Sequence, residues 1–208
     1  LRSFVGMLTL GLLLLTMIHQ FNHYYIDGVG YATILDLLKG LLTNPAFLLL
    51  LACSKIIATS LTLGSGASGG VFSPSLFIGA TLGSACGCLL NQLFPGLAIN
   101  PVLFTLGGMA GMVGGTTGAV ITAIVMLFEQ TRDYQSILPV MLTVAIAYAV
   151  RSRIMSESIY TLKLARRGQQ LPQGLQANIA GTQSAKHVME KCFDHFHVDN
   201  LEQPNIPI

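Results

Sequence analysis

Two long apolar runs dominate the first part of the chain and limit what it can fold into. The run from Ala46 to Leu63 carries a single charge, Lys55, and the run from Phe4 to Ile18 carries none. A helix of about 20 mostly apolar residues crosses the hydrocarbon core of a bilayer. The whole chain is 52% hydrophobic and only 10% charged, whereas a soluble domain carries about 25% charged residues. The sequence therefore predicts an integral membrane protein embedded in a lipid bilayer.

The charged residues divide the chain into parts. Of the 20 charged residues (11 basic plus 9 acidic), eight lie before residue 151, and the other twelve fall in the last 58 residues. We therefore expect a membrane domain over residues 1–167, a polar linker over 168–181, and the start of a soluble unit over 182–208. The chain begins at Leu1 and enters an apolar run almost at once, so we expect it to belong to a longer protein.

Basic residues follow the last apolar run, which predicts that this end of the chain is cytoplasmic. They are Arg151, Arg153, Lys163, Arg166 and Arg167. The segment SESIYTLKLARRG, which contains three of them, predicts a helix with Ser156 or Ser158 as its N-cap. The loop HQFNHYYIDGVGY predicts that Asp27 caps a short helix from Tyr31 to Leu42.

The later apolar runs are short, and glycines interrupt them. They are Leu103 to Val113, Ala119 to Phe128, and Ile137 to Val150, with Gly114 to Gly118 between the first two. Runs of about 10–14 residues are too short to cross a bilayer alone. Broken helices are tolerated in membranes only where protein or a cavity surrounds them, which is typical of transporters. The predicted fold is an all-α, polytopic membrane bundle with broken, tilted helices.

Lys55 lies within one of the long apolar runs, where two interpretations are open. A lysine there either extends its amine to the membrane surface or lines an aqueous vestibule. The segments around Cys53, Cys86 and Cys88 are apolar, so buried thiols are expected there rather than a metal site. No basic run with interleaved aromatic residues suggests a nucleic-acid partner.

The segment from Gly64 to Gly79, GSGASGGVFSPSLFIG, admits three kinds of chemistry. Its GxGxxG spacing would suit a dinucleotide, but the required strand and the acidic residue about 20 positions later are missing. GASGGVF resembles the serine motif of rhomboid proteases, with Ser68 as nucleophile. Those enzymes need a membrane histidine after the serine as general base, and the apolar segments after Ser68 contain no histidine.

The third possibility needs no reactive group. Gly70 ends the loop and Val71 begins a helix, whose first backbone N–H groups lack partners within the helix and carry partial positive charge. Such a helix start binds anions without a cation. Pro74 fits the first turn, where a missing N–H costs nothing. The absence of a nearby Lys or Arg suits an anion that must also leave again.

The sequence Gly70-Val71-Phe72-Ser73-Pro74 matches the GxFxP motif of the CLC family of chloride channels and chloride/proton antiporters. Further segments resemble the second half of that family in order: GVGYATI, SKIIATSLTLGSGASGGVFSPSLFIGATLG, AGMVGGTTGAVITAIVMLFEQTRDYQSILPVMLTVAIAYAV and SIYTLKLARRG. The resemblance covers residues 1–168. It implies the second half of an inverted-repeat transporter, not an enzyme, with the N-terminal half of the same protein as its partner.

The resemblance implies a central anion site made by the backbone N–H groups of Val71 and Phe72 and the hydroxyl of Tyr160. Gly69, Gly70, Ser73 and Pro74 would support the anion loop. Tyr160 could instead anchor the chain at the membrane interface. The resemblance implies chloride or a similar monovalent anion as the bound ion, with no other cofactor and no metal.

The resemblance also implies the protein's surroundings. It places the protein in the plasma (inner) membrane as a homodimer joined through Ala119–Phe128 and Ile137–Ala149, unless these helices face lipid. The residues after Thr182 resemble the opening of a CBS domain. Glu129 is expected to be structural and buried at a helix end with Thr131 or Arg132. Because the gating and proton glutamates belong to the first half, a channel and a proton-coupled antiporter both remain open.

Overall fold

The structure, a computed structural model, describes residues 2–97, 99–155 and 157–166, and over these residues the regular structure is helical. The helices are α1 (Arg2–Phe21), α2 (Tyr31–Leu38), α3 (Pro45–Gly64), α4 (Phe72–Leu93), α5 (Pro101–Thr117), α6 (Val120–Thr131), α7 (Ile137–Ile154) and α8 (Thr161–Ala165), with short 3-10 turns at Pro95–Leu97 and Tyr134–Ser136. The all-α prediction is confirmed. Contacts divide the chain after Lys163, and the helix packing described below lies before that point.

Four segments are long and apolar enough to cross a membrane. They are Ser3–Phe21, Pro45–Gly64, Phe72–Leu93 and Tyr134–Ile154. The last one shows that the prediction of a run too short to cross, from Ile137 to Val150, was wrong. The 3-10 turn at Tyr134–Ser136 leads directly into α7, and α7 continues through Arg151 and Arg153 in its last turn. Basic residues end an apolar run in the sequence, but they are good helix formers and do not end the helix.

The expected break over Gly114–Gly118 is also narrower than predicted. Helix α5 continues to Thr117, and only Gly118 leaves the helical conformation, with a φ of 79°. Gly114 and Gly115 lie against α7, where an added Cβ would approach Val144 Cγ1 within 2.5 Å and Ala147 Cβ within 3.6 Å, respectively. Close packing against a neighbouring helix therefore keeps these glycines helical, although glycine is a poor helix former.

Helices α4 and α5 are antiparallel and pack backbone against backbone. A Cβ added to Gly79 would collide with the carbonyl of Gly108, and one added to Gly83 would collide with the carbonyl of Phe104. A Cβ on Gly87 would lie 3.0 Å from the Cα of Pro101. Along the contact, the residue numbers of α4 therefore increase while those of α5 decrease. The start of α4 therefore lies beside the end of α5.

Helices α5 and α7 are parallel. Gly107 lies against Thr143, and an added Cβ would be 3.2 Å from the Thr143 hydroxyl oxygen. Further along the two helices the pairs follow in the same order: Gly111 with Ala147, and Gly118, directly after α5, with Arg151. Small residues let helices approach this closely in a membrane. The first turn of α4 and the last turns of α5 and α7 therefore lie at one end of this three-helix group.

The loop between α1 and α2 departs from the sequence prediction. Helix α2 ends at Leu38 rather than Leu42, and its N-cap is Gly30, with a φ of 77° and no side-chain capping bond. The Asp27 carboxylate accepts a hydrogen bond at 2.8 Å from the N–H of Gly28 instead. Asp27 lies too far before Tyr31 to reach the first turn, so the prediction that it caps the helix was wrong.

Two predictions concern the later part of the chain. Glu129 is exposed, so the prediction that it is buried was wrong; the Thr131 hydroxyl donates to the carbonyl of Leu127 rather than to it. Ser158 caps the start of α8 as expected, because its hydroxyl accepts from the Thr161 N–H at 3.3 Å while the Thr161 hydroxyl accepts from the Ser158 N–H at 2.8 Å. Ser156, the linker and the CBS-like segment lie outside the described residues.

Candidate functional site

The glycine-rich segment links α3 to α4 and leaves the start of α4 without a side-chain cap. Ser65 is the C-cap of α3, and Val71 is the N-cap of α4, where no side chain accepts from the first turn. The first bond within the helix runs from the N–H of Ser75 to the carbonyl of Val71 at 3.1 Å. Pro74 has no N–H to satisfy. The N–H groups of Phe72 and Ser73 thus remain as donors at the positive end of the helix.

A cavity of about 390 Å³ lies beside this helix start. One wall is the glycine loop and the first turn of α4, with Ser68, Gly69, Gly70, Ser73 and Pro74. The four residues predicted to support an anion loop thus lie on this wall, whereas Val71 and Phe72, the predicted backbone donors, are not among the residues that line the cavity. A cavity of this size has room for an ion together with water molecules.

Other walls of the cavity come from α1, from α3 and from the loop between α1 and α2. Helix α3 contributes hydroxyl groups through Thr59 and Thr62, along with Lys55, and α1 contributes Leu10 and Leu14. Both threonine hydroxyls also donate to carbonyls one turn earlier in α3. The cavity thus combines an uncapped helix start, neutral hydroxyls, the basic side chain of Lys55 and the acidic side chain of Asp27. The expectation that no Lys or Arg lies near the loop was therefore wrong, because Lys55 is close in space although distant in sequence.

The Ser73 hydroxyl has no hydrogen-bond partner among the described residues, and its oxygen is buried. A hydroxyl in this position normally finds a partner, because a buried polar group without one costs free energy. The nearby Ser75 hydroxyl is satisfied, since it donates to the carbonyl of Val71 at 2.7 Å. Ser73 thus leaves an unused donor and acceptor beside the first turn of α4.

Tyr160 lies at the same end of the helix group as Val71 and Phe72. The N–H of Ile159 donates to the carbonyl of Thr116 at 3.0 Å, in the last turn of α5. That turn lies beside the first turn of α4, as the pairing of the two helices shows. Tyr160 is 53% exposed and is not among the residues that line the cavity. A shared anion between it and the helix start stays a prediction.

Lys55 is the residue that the sequence left undecided. It is 4% exposed, so the interpretation that its amine extends to the membrane surface is wrong. Lys55 is among the residues that line the cavity, and its second interpretation, lining an aqueous vestibule, stays a prediction. Its amine donates to the carbonyls of Ile26 and Gly28, both at 2.7 Å. A single charge within an apolar run marks the residue, but no sequence pattern reveals partners in a loop so far away along the chain.

Four of the described segments are thus long and apolar enough to cross a membrane, and an uncapped helix start lies beside a cavity. Residues 1–152 match the family model described as voltage gated chloride channel, and the chain belongs to that family. The candidate residues Gly69 to Pro74 lie within the match, whereas Tyr160 lies after it. Nothing in this match supports the alternative of a rhomboid-like protease.

Similar proteins include a putative chloride channel protein, ClcB-like, of Ralstonia nicotianae, 39% identical over 139 residues, which cover 67% of this chain and 32% of that protein. An H(+)/Cl(-) exchange transporter, ClcA, of Vibrio campbellii is 35% identical over 141 residues, which cover 68% and 30%. The structure of a slow cyanobacterial Cl-/H+ antiporter matches with a TM-score of 0.56 and 32% identity, over 61% of this chain and 30% of that one. The chain thus spans about a third of the length of these relatives.

Proposed function

We propose that this chain contributes the anion-binding helix start of a protein that transports chloride or a similar monovalent anion across a membrane. The observation that carries the proposal is the uncapped first turn of α4 beside a cavity of about 390 Å³. Its support is the family match together with relatives named as a chloride channel and as proton/chloride exchangers. Those names cover both mechanisms, so the proposal includes a channel and a proton-coupled exchanger.

The anion is held by neutral donors in this proposal: the backbone N–H groups of Val71 and Phe72 and the hydroxyl of Tyr160. Gly69 and Gly70 let the ion approach the backbone, because neither has a Cβ in the way. Neutral donors offset the dehydration of a monovalent anion, but that of a divalent oxyanion costs far more. The site therefore favours chloride over sulfate or phosphate.

The proposal also covers the dimer contact, the N-terminal half of the protein and the orientation in the membrane. The apolar residues that α6 and α7 expose, Ile121, Val125, Leu138, Leu142 and Ile146, cover each other in a homodimer or face lipid. The N-terminal half of the same protein packs against the remaining exposed helix faces. The basic end of the chain lies on the cytoplasmic side of the plasma (inner) membrane.

The test is anion efflux from liposomes that contain the purified full-length protein. We expect efflux of chloride and no measurable efflux of sulfate. The matched control is Ser68→Ala, which removes an exposed hydroxyl from the same loop but leaves the backbone donors in place. Equal efflux of the two anions would contradict the neutral-donor site, and a loss of efflux in Ser68→Ala would assign the function to the serine instead.

A further inference from the structure

Lys55 joins three parts of the structure around its amine. Of the buried side chains among the described residues, it alone carries a formal charge. Its Nζ atom donates to the carbonyl oxygens of Ile26 and Gly28, and it lies 5.1 Å from the ring centroid of Phe77 on α4. A cation near an aromatic face is attracted by the ring electrons. The side chain thus connects α3, α4 and the loop between α1 and α2.

The Ile26–Gly30 loop is held on its other side as well. Gly30 is buried, and a Cβ added to it would collide with the ring of Phe77. Just before the loop, the carbonyl of Tyr25 accepts from the Thr33 hydroxyl at 2.9 Å. The loop therefore has a fixed position between α3 and α4, although it contains no helix or strand of its own.

This position matters because the loop forms a wall of the cavity beside the α4 start. Ile26, Gly28 and Lys55 line the same cavity as Gly70 and Ser73. Backbone carbonyl oxygens carry partial negative charge and are strong acceptors. Two carbonyls without a partner on this wall would repel an anion at the helix start. Lys55 takes up both oxygens, and its positive charge offsets the negative charge that these carbonyls and the neighbouring Asp27 carboxylate give to this wall.

We propose that Lys55 is a positioning residue for anion passage. It fixes the Ile26–Gly30 loop as a cavity wall and keeps the carbonyls of Ile26 and Gly28 from opposing an anion at the start of α4. The inference rests on the proposed function, since it needs an anion in the cavity. Its structural part, the fixed loop, is testable without any transport measurement.

The test compares Lys55→Met with Lys55→Arg in the full-length protein. Methionine keeps the length of the side chain but loses the donors and the charge. We expect the apparent KM for chloride to rise severalfold, because the carbonyls of Ile26 and Gly28 lose their donor and then oppose an anion in the cavity. Hydrogen exchange of the amides of residues 22–30 should also become faster. Lys55→Arg should restore most of the chloride affinity, because it keeps the charge and the donors.

The matched control is Lys39→Met, which removes an exposed lysine at the end of α2 and should change neither quantity. If Lys55→Met fails to fold, a second pair of variants still tests the proposal. Gly30→Ala pushes the loop away from Phe77 while Lys55 stays, so it should raise the KM and speed exchange in the loop. Gly40→Ala has a similar positive φ but open space around it, and therefore controls for backbone strain.

Two outcomes would overturn the proposal. One is a Lys55→Met protein, or a Gly30→Ala protein where the first does not fold, with wild-type exchange in residues 22–30. The other is faster exchange with an unchanged KM for chloride. If the wild-type protein carries no chloride, the proposed transport function fails, and the role of Lys55 in passage fails with it. The exchange measurement then still shows whether Lys55 fixes the loop.

Discussion

The N–H of Ile159 donates to the carbonyl of Thr116 at 3.0 Å and joins the segment before Tyr160 to the last turn of α5. Residue 116 is far from residue 160 in the chain, yet this bond sets where the tyrosine lies. Because α5 is antiparallel to α4, the same turn of α5 lies beside the first turn of α4. The bond between Ile159 and Thr116 thus places Tyr160 at the same end of the helix group as the start of α4.

Removing the Tyr160 hydroxyl tests whether it completes the anion site. In Tyr160→Phe, one hydrogen bond to a charged ligand is lost, which corresponds to about 1.5–3 kcal/mol at most and roughly a tenfold to hundredfold weaker Kd. Chloride binding measured by calorimetry on the full-length protein should weaken without vanishing, since the backbone donors remain. Tyr134→Phe is the control, because that exposed tyrosine packs on Phe128 through its ring. Wild-type binding in Tyr160→Phe would remove Tyr160 from the site.

The contact between α4 and α5 should tolerate no side chain at Gly83. A methyl group there meets the carbonyl of Phe104, and a backbone atom cannot move aside without shifting a helix. We expect Gly83→Ala to destabilise the protein by about 1–3 kcal/mol or more, as overpacking does. Thermal unfolding in detergent measures the change. Gly96→Ala, in an open turn, should unfold within a degree or two of wild type, and equal effects of the two changes would contradict the close contact.

The starts of α3 and α5 share one capping arrangement. Asn44 accepts at 3.1 Å from the N–H of Ala46, and Asn100 accepts at 3.0 Å from the N–H of Val102, each with a proline directly after the asparagine. Asn44→Ala or Asn100→Ala should cost about 0.5–2 kcal/mol of stability. Asn→Asp at either position should retain most of it, because aspartate caps equally well. Denaturant unfolding of the four variants measures these differences, and equal losses for Ala and Asp would show that the side-chain oxygen is unimportant.

Asp133 gives a prediction for acidic conditions. The hydrogen bond from the Ser136 hydroxyl, followed by the one from the Gln135 N–H, lowers the pKa of the Asp133 carboxyl from its usual value. A carboxyl whose pKa is lower in the folded state contributes its stability above the unfolded pKa of about 3.9 and loses it as pH falls through the folded value. The melting temperatures of wild type and Ser136→Ala should therefore differ at pH 6 and converge below pH 4. A difference that stays constant over this range would contradict the assignment.

Much of the helical order was predictable from local signals. The asparagine–proline pair at Asn44 marks the start of α3, and the Val71–Pro74 segment marks the start of α4 within one residue. These signals act over a single turn of helix, so a single sequence contains them. The uncapped start of α4 was visible for the same reason: glycines and valine offer no side-chain acceptor to cap it.

The errors arose where distant contacts decide the local structure. The glycine-rich sequence around Gly114 and Gly115 predicts a break in the helix, but packing against α7 keeps these residues helical. A lysine within an apolar run, such as Lys55, is expected to extend its amine to the membrane surface, but hydrogen bonds to two loop carbonyls keep it in the interior. Asp27 has the sequence of a helix cap, but the chain turns at Gly28 before the helix begins. Tertiary partners cannot be read from a short window, and they outweigh local preference at each of these positions.

The surroundings of Gly118, next to Arg151, limit which substitutions the protein can accept during evolution. The glycine ends α5, and a Cβ there would lie 2.9 Å from the Arg151 guanidinium. The carboxyl ends of α5 and α7 lie at the same end of the helix group, so their negative dipole ends lie on one side and the guanidinium supplies positive charge there. The far end of an arginine can move aside for a side chain at position 118, but the positive φ of 79° there disfavours any residue with a Cβ. Related sequences should therefore keep glycine, or at most asparagine, at position 118 whatever residue stands at position 151.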